Sequence, residues 1–350
     1  MTLIPVTILT GFLGSGKSTL LSEILRDQAF ANTAVVVNEF GEVGLDDFLV
    51  THSEEQIVEM TTGCLCCTVR GDITDTLLML EHKRKNGEIP AFERLIIETT
   101  GLADPAPVIH TLISEPRINT RFMLGGIICS VDAANGLQTL DKYEECQKQV
   151  AVADRIVLTK SDLNIDEAAV YDLYKRIENL APSAVFQDRH KTDFSLARLF
   201  DTTLYDPKTK GYEVERWLNE QHLAQKQNTH QHHHHHHHNE GGIDSFVLTF
   251  DNPLPRNAFL LAMQLLISHQ GEQLLRIKGI VCLKEQPEQP IILHGVQHVF
   301  HDPLELDNWP DGDTRTRMVF ITRDLSQRTV ETFFKTWLSY DEEKILNMMN

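Results

Sequence analysis

The sequence predicts an α/β chain, with a doubly wound, mostly parallel sheet over its first two hundred residues and a second, smaller α+β domain after it. Three observations carry this. Short aliphatic runs alternate with longer amphipathic stretches up to about residue 200. The apolar periodicity then fades through a Gln/Asn/His-rich stretch at 225–242 that closes on two glycines. From Ile243 onward a new set of apolar runs follows in a different order. With 350 residues there is room for one large domain and one small one, and the predicted division is 1–205, a flexible linker 206–242, and 243–350.

In the first part, residues 4–9, 34–37, 95–97, 123–131 and 156–158 are the predicted strands. They are mostly apolar and do not alternate, as befits strands covered by crossover helices on both faces. In the second part, a strand at 246–250 precedes a helix that Pro255 starts from a first-turn position and that runs to about 269. Strands at 274–283, 291–299 and 318–322 follow, then a closing helix at 327–338. That order suggests a small sheet with its helices on one face.

Composition excludes several classes. A net charge of -18 repels nucleic acid and anionic lipid, and no Lys/Arg-rich run offers a local basic patch, so neither partner is expected. No stretch is long and apolar enough to span a membrane, and residues 1–7 lack the form of a signal peptide, which places the chain in the cytoplasm. Six cysteines in a chain this long make no disulfide scaffold. Three crowd together as Cys64, Cys66 and Cys67; Cys129, Cys146 and Cys282 are scattered and read as structural.

Gly11-Phe-Leu-Gly14-Ser15-Gly16-Lys17-Ser18-Thr19 contains the Walker A pattern between a strand and a helix, which makes the fold class a P-loop NTPase. The glycines let successive N–H groups face phosphate oxygens, and the helix N-terminus adds partial positive charge. Lys17 neutralises the β- and γ-phosphates, and the Ser18 hydroxyl ligates Mg2+. Glu98, ending the strand in Glu98-Thr-Thr-Gly101, is the candidate second Mg2+ anchor, and Gly101 the candidate γ-phosphate contact. Asn38-Glu39-Phe-Gly-Glu42 sits where a switch loop would lie, so Glu39 is a candidate catalytic group and Glu42 a metal contact; a solvated acidic turn is the competing reading. Thr159-Lys160-Ser-Asp162 follows another strand. A carboxylate at Asp162 accepts from guanine N1–H and its amino group and repels the N1 lone pair of adenine, so the expected nucleotide is GTP. Thr159 stands where such tetrads carry Asn, which on this reading weakens the loop-pinning contacts.

Gly63-Cys64-Leu-Cys66-Cys67 combines C-x-x-C with C-x-C. Thiolates at this density suit Zn2+ and also Cu(I), with Co2+ or Ni2+ as alternatives, and at most three of them leave a site that can open; Glu42 or a histidine would assist. A redox C-x-x-C lacks its usual setting at a helix start in a thioredoxin-like unit. His232, His233, His234, His235, His236, His237 and His238 form an internal run whose neutral imidazoles bind transition metals with little selectivity, a capture tether or else an inert linker. His294 and His298 fall on one face of a predicted strand and read as ordinary partly buried histidines.

Together these motifs resemble the CobW branch of the CobW/HypB/UreG metallochaperone GTPases. The resemblance extends along the chain through the His-rich linker, Lys278-Gly279 and His294-Gly-Val-Gln-His298. It implies slow, Mg2+-dependent GTP hydrolysis, a C-x-C-C metal site, and roles in zinc homeostasis or cobalt delivery for cobalamin synthesis, with the metal passed to a client metalloprotein. A homo-oligomer is compatible with it. A P-loop kinase or ATPase, which would need an acceptor pocket and a basic lid, and a passive zinc store, which would not need Lys17 or Asp162, are the alternatives. Because the cysteines lie in chain order between the switch loop and Gly101, GTP could order the thiolates and hydrolysis loosen them.

Overall fold

The computed structural model describes residues 3–38, 57–59, 65–69, 72–163, 165–200, 242–300 and 303–339, with 38, 57–59 and 65–69 in backbone alone. They fall into two compact units. The first runs to Lys175 and resumes at Ala184; the second holds Arg176–Ser183 and the residues from 242 onward.

The first unit is built on an eight-stranded sheet. Its strands are β1 (Ile4–Thr10), β2 (Thr33–Asn38), β3 (Ile57–Glu59), β4 (Leu65–Val69), β5 (Arg94–Thr99), β6 (Phe122–Asp132), β7 (Arg155–Thr159) and β8 (Val185–Asp188). The order across the sheet is β3-β4-β2-β5-β1-β6-β7-β8. Every pairing is parallel except that of β3 on β4, so the expected mostly parallel sheet is present. The continuous apolar runs follow from burial on both faces: the residues of β5 from Leu95 to Thr99 and all of β7 are buried. The helix Lys17–Arg26 buries Leu20, Leu21, Ile24 and Leu25 at helical spacing against Leu9, Val35, Ile96 and Ile128 of the sheet. The β1 strand leads into this helix, which crosses β5 to reach β2, whereas β5 leads back across β1 to β6. The chain therefore reverses direction beside β1, and in such sheets ligands sit at the carboxyl ends of the strands at that point.

The second unit carries an antiparallel sheet, β12-β11-β10-β14-β9, with β13 against β11. Its strands are β9 (Ile243–Phe250), β10 (Leu274–Val281), β11 (Ile291–Val296), β12 (Val299–Phe300), β13 (Leu304–Glu305) and β14 (Thr316–Arg323). Alternate residues Ile277 and Val281, Ile291 and Leu293, and Met318 and Phe320 join a core with Phe259, Ala262, Met263 and Leu266 of helix Arg256–Gln270 and Val330 and Phe334 of helix Gln327–Leu338. Both helices thus cover one face of the sheet.

Two local expectations are corrected. Pro255 is the N-cap, with extended ψ of 125°, and the helix begins one residue later. His294 and His298 do not share a strand face. Val296 pairs with Val299 across a two-residue turn, Gln297-His298, with Gln297 at φ 53°, so His298 is a hairpin-turn residue and only His294, buried, lies on β11. No helix among the described residues is long and apolar enough to cross a membrane.

Candidate functional site

The motif residues converge at the carboxyl edge of the parallel sheet. The register Leu9↔Glu98 aligns the ends of β1 and β5, and the Ser18 hydroxyl, exposed on the first helical turn beside exposed Thr19, donates to the buried Glu98 Oε1 at 3.1 Å. Two hard oxygen donors side by side at a Walker A helix fit Mg2+. The helix starts from Gly16 at φ 89° with no side-chain cap, which leaves its first N–H groups to the ligand a helix N-terminus favours, an anion. Lys17 Nζ donates to Gly11 O at 2.8 Å and Phe12 O at 3.2 Å, which holds the ammonium over the loop. Gly14 adopts φ 72° with no heavy atom within 4 Å of where a Cβ would stand, an open cradle of backbone. The Ser15 and Ser130 hydroxyls bond at 2.7 Å beneath it.

Gly101 approaches this loop so closely that a Cβ would lie 2.6 Å from Leu13 N and 2.8 Å from Leu13 Cα. Only glycine fits there, and the approach places the Glu98–Gly101 motif against the Walker A backbone. Thr99 Oγ1 donates to Thr10 Oγ1 at 2.9 Å, tying the two strand ends together.

The third loop follows β7. Thr159, where such tetrads carry Asn, is buried and its hydroxyl donates to Ser15 O at 2.7 Å, with Val131 O at 3.2 Å as a lesser acceptor. It thereby ties the loop after β7 to the Walker A loop. Lys160 stands at φ 58°, a left-handed conformation strained for a non-glycine residue, and its ammonium meets Asp132 Oδ2 at 2.7 Å. Burial pushes Asp132 up, but hydrogen bonds from Lys160, Asn135 and Ala134 N–H outweigh it and hold the carboxyl below its ordinary range. Asp162 is exposed and meets His190 Nε2 at 3.0 Å, while Ser161 Oγ donates to Asp188 Oδ1 at 2.5 Å and His190 N–H to the same oxygen at 2.9 Å.

Sequence reasoning missed Ser130, Asp132, Asp188 and His190. A usable signal existed: each lies in the last residues of a parallel strand or just beyond, the edge where α/β sheets bind ligands.

Of the candidate metal ligands, Cys66 and Cys67 lie on β4, paired with Val35 and Val36 of β2 and with Val58 and Ile57 of β3. The turn-like spacing from Cys64 to Cys67 thus falls partly on a strand. Glu39, Glu42, Cys64 and the run His232, His233, His234, His235, His236, His237 and His238 lie outside the described residues. Among the described residues no group of three or more His, Cys, Asp or Glu is placed to hold a metal ion. Cys129, Cys146 and Cys282 are free and buried, and burial raises all three thiols, Cys146 to about 12, so they stay protonated at neutral pH.

Comparison with known proteins places this geometry. Residues 5–187 match the model of the CobW/HypB/UreG nucleotide-binding domain, and residues 243–338 that of the cobalamin synthesis protein cobW C-terminal domain. The chain is 34% identical to the zinc chaperone YjiA of Escherichia coli, over 95% of this chain and 98% of that one. It is 30% identical to the zinc chaperone CobW of Pseudomonas aeruginosa, over 96% and 92%. The crystal structure of Zn(II)-bound YjiA GTPase from E. coli superposes with a TM-score of 0.74 at 32% identity, covering 96% of this chain and 99% of that one. With both domain models matched in order and a full-length relative above 30% identity, the chain belongs to the CobW/HypB/UreG family.

Proposed function

We propose that this protein is a GTP-hydrolysing metallochaperone that binds a transition metal, zinc first, and passes it to a client metalloprotein. The observation that carries the reading is the joining of three nucleotide loops at one sheet edge: Ser18 against Glu98, Gly101 against Leu13, and Thr159 against Ser15. The full-length likeness to proteins named as zinc chaperones, one of them a Zn(II)-bound GTPase, supports the cargo.

In this reading the backbone from Gly11 to Thr19 cradles the triphosphate, with Gly14, Ser15 and Gly16 supplying N–H groups. Lys17 leaves the Gly11 and Phe12 carbonyls for phosphate oxygens and neutralises charge as the terminal phosphoryl group departs. Ser18 and Glu98 would hold Mg2+, which would supply positive charge that polarises the phosphates. Gly101 N–H meets the γ-phosphate. Asp162 reads the guanine edge, with Lys160 positioned along the base by its pair with Asp132. Glu39 orients the attacking water.

The cargo ligands are Cys64, Cys66 and Cys67 with Glu42, and the seven histidines from His232 to His238 are a capture tether. The division 1–205, 206–242 and 243–350 is supported by the ends of the two matched domain models. Free cysteines suit a reducing compartment, the cytoplasm. The test is the affinity for Zn2+, Co2+ and Ni2+ measured with and without Mg2+ and a non-hydrolysable GTP analogue. A metal affinity that the analogue leaves unchanged for all three ions, together with no GTP turnover, would refute the reading.

A further inference from the structure

We infer that Gln149 is a positioning residue for the Gly101 loop, setting that loop where it separates GTP from GDP. The inference rests on the reading of Gly101 as the γ-phosphate contact.

Gln149 belongs to the helix Glu144–Ala151 and is 0% exposed. Its Nε2 donates to Gly101 O at 3.2 Å and to Ala103 O at 3.0 Å, so one side-chain amide uses both of its hydrogens on the main chain of one turn. Ala103 N–H closes that turn on Thr100 O at 3.1 Å. The amide orientation follows from chemistry: reversed, Oε1 would face two carbonyl oxygens. Oε1 itself is buried and accepts no hydrogen bond among the described residues. An apolar side chain of the same shape would fill the space. What the apolar side chain would lack is the pair of donors.

The same helix reaches the other nucleotide loop. Tyr143, directly before it, stacks on Phe12 of the Walker A loop with ring centroids 4.7 Å apart, and Lys148 lies 4.0 Å from Asp104, next along the Gly101 loop. Gly101 is therefore caught between two backstops. Leu13 backbone lies on one side within contact distance of where a Cβ would be, and Gln149 grips its carbonyl. Fixing that carbonyl removes rotational freedom from the residue whose N–H must meet the γ-phosphate. GDP makes no demand on that N–H, so the benefit of the constraint falls on GTP alone.

The experiment uses the full chain with Mg2+ and compares the unmodified protein with Gln149→Met, which keeps the volume and drops the donors, and Gln149→Glu, which keeps the length and turns a donor into an acceptor. Affinities for GDP and for a non-hydrolysable GTP analogue are measured by calorimetric titration, and single-turnover hydrolysis by phosphate release. Both Gln149 variants should bind GDP within about twofold of the unmodified protein while binding the analogue and hydrolysing GTP roughly tenfold less well. Equal losses for GDP and analogue in both variants, or absence of a cooperative thermal transition in both, would overturn the inference in favour of a purely structural glutamine. If GDP and the analogue protect the Gly101 amide of the unmodified protein equally from hydrogen exchange, the reading of Gly101 fails; if only the analogue protects it and the Gln149 variants bind the analogue as well as the unmodified protein does, only the positioning role fails.

Discussion

The Lys17 side chain is buried, and two carbonyls of the Walker A loop hold its ammonium at that loop. Lys17→Ala should therefore cut GTP hydrolysis by at least about 100-fold while the far-UV circular dichroism stays unchanged, because the residue meets phosphate charge and not packing. Asp162 is exposed and its His190 partner is also at the surface, so that pair contributes little to stability and leaves the carboxylate available to a base. Asp162→Asn should lower the preference for GTP over ATP by about tenfold or more, the value of the lost carboxylate contacts, in competition binding with the two nucleotides. An unmodified protein that binds ATP as tightly as GTP would remove Asp162 from the site. Both residues were legible in the sequence because a Walker A string and a Lys-x-Asp after a strand are local patterns with a local reason. Asp132 and Gln149 were not: the first acts through Lys160 28 positions away, the second through Gly101 48 positions away, and no spacing rule links such partners.

Strands and helices were read from periodicity where burial is uniform. The runs that became β1, β5, β6 and β7 were visible because strands buried on both faces are apolar throughout. The edge strands β3 and β8 were not, since three- and four-residue edges carry too few apolar positions to form a pattern. The hairpin between β11 and β12 was missed because Gln297-His298 lacks the Asn-Gly or Asp-Gly signal of such a turn, although Gln297 adopts the same left-handed backbone.

In the second unit, Arg317 grips Asp311 through two nitrogens at 2.6 and 3.1 Å, and Arg315 pairs with Asp313 at 2.9 Å. Arg315 holds the Asp313 carboxyl down at about 2, against an ordinary 3.8. Because the folded value lies below the unfolded one, the stabilisation is full above about pH 4 and disappears as pH falls through about 2. Asp313→Asn should thus cost about 1 to 2 kcal/mol at neutral pH, with the difference closing on acidification, as urea melts at several pH values would show. Phe334, fully buried among the rings of Phe250, Phe259 and Phe320, joins the closing helix to its sheet. Phe334→Ala should destabilise by about 3 to 5 kcal/mol in the same melts.

At the scale of the molecule, the proposed metal cycle asks that nucleotide and cargo sites exchange free energy. The β2 strand is the shared element: its register joins β5, which carries Glu98, on one side and β4, which carries Cys66 and Cys67, on the other. Replacing Cys66 and Cys67 with serine should remove the tightest metal equivalent and the effect of metal on GTP turnover together, since linked binding is reciprocal. Retention of tight, GTP-sensitive zinc in the double variant, measured by competition with a chelating dye, would exclude the pair. Deleting residues 230–238 should lower the number of bound zinc ions yet leave the tightest one and basal hydrolysis nearly unchanged, because imidazoles on a tether gain little from preorganisation.

The hydroxyl of Thr159 spans 144 residues of sequence to reach the carbonyl of Ser15, and through it the proposed guanine-reading and phosphate-binding halves of the site share one strut. Guanosine and inorganic triphosphate, offered as separate fragments, should on this arrangement assist each other's binding, each fragment finding its loop already steadied by the other. With valine at position 159 the strut is gone, and the two fragments should titrate independently.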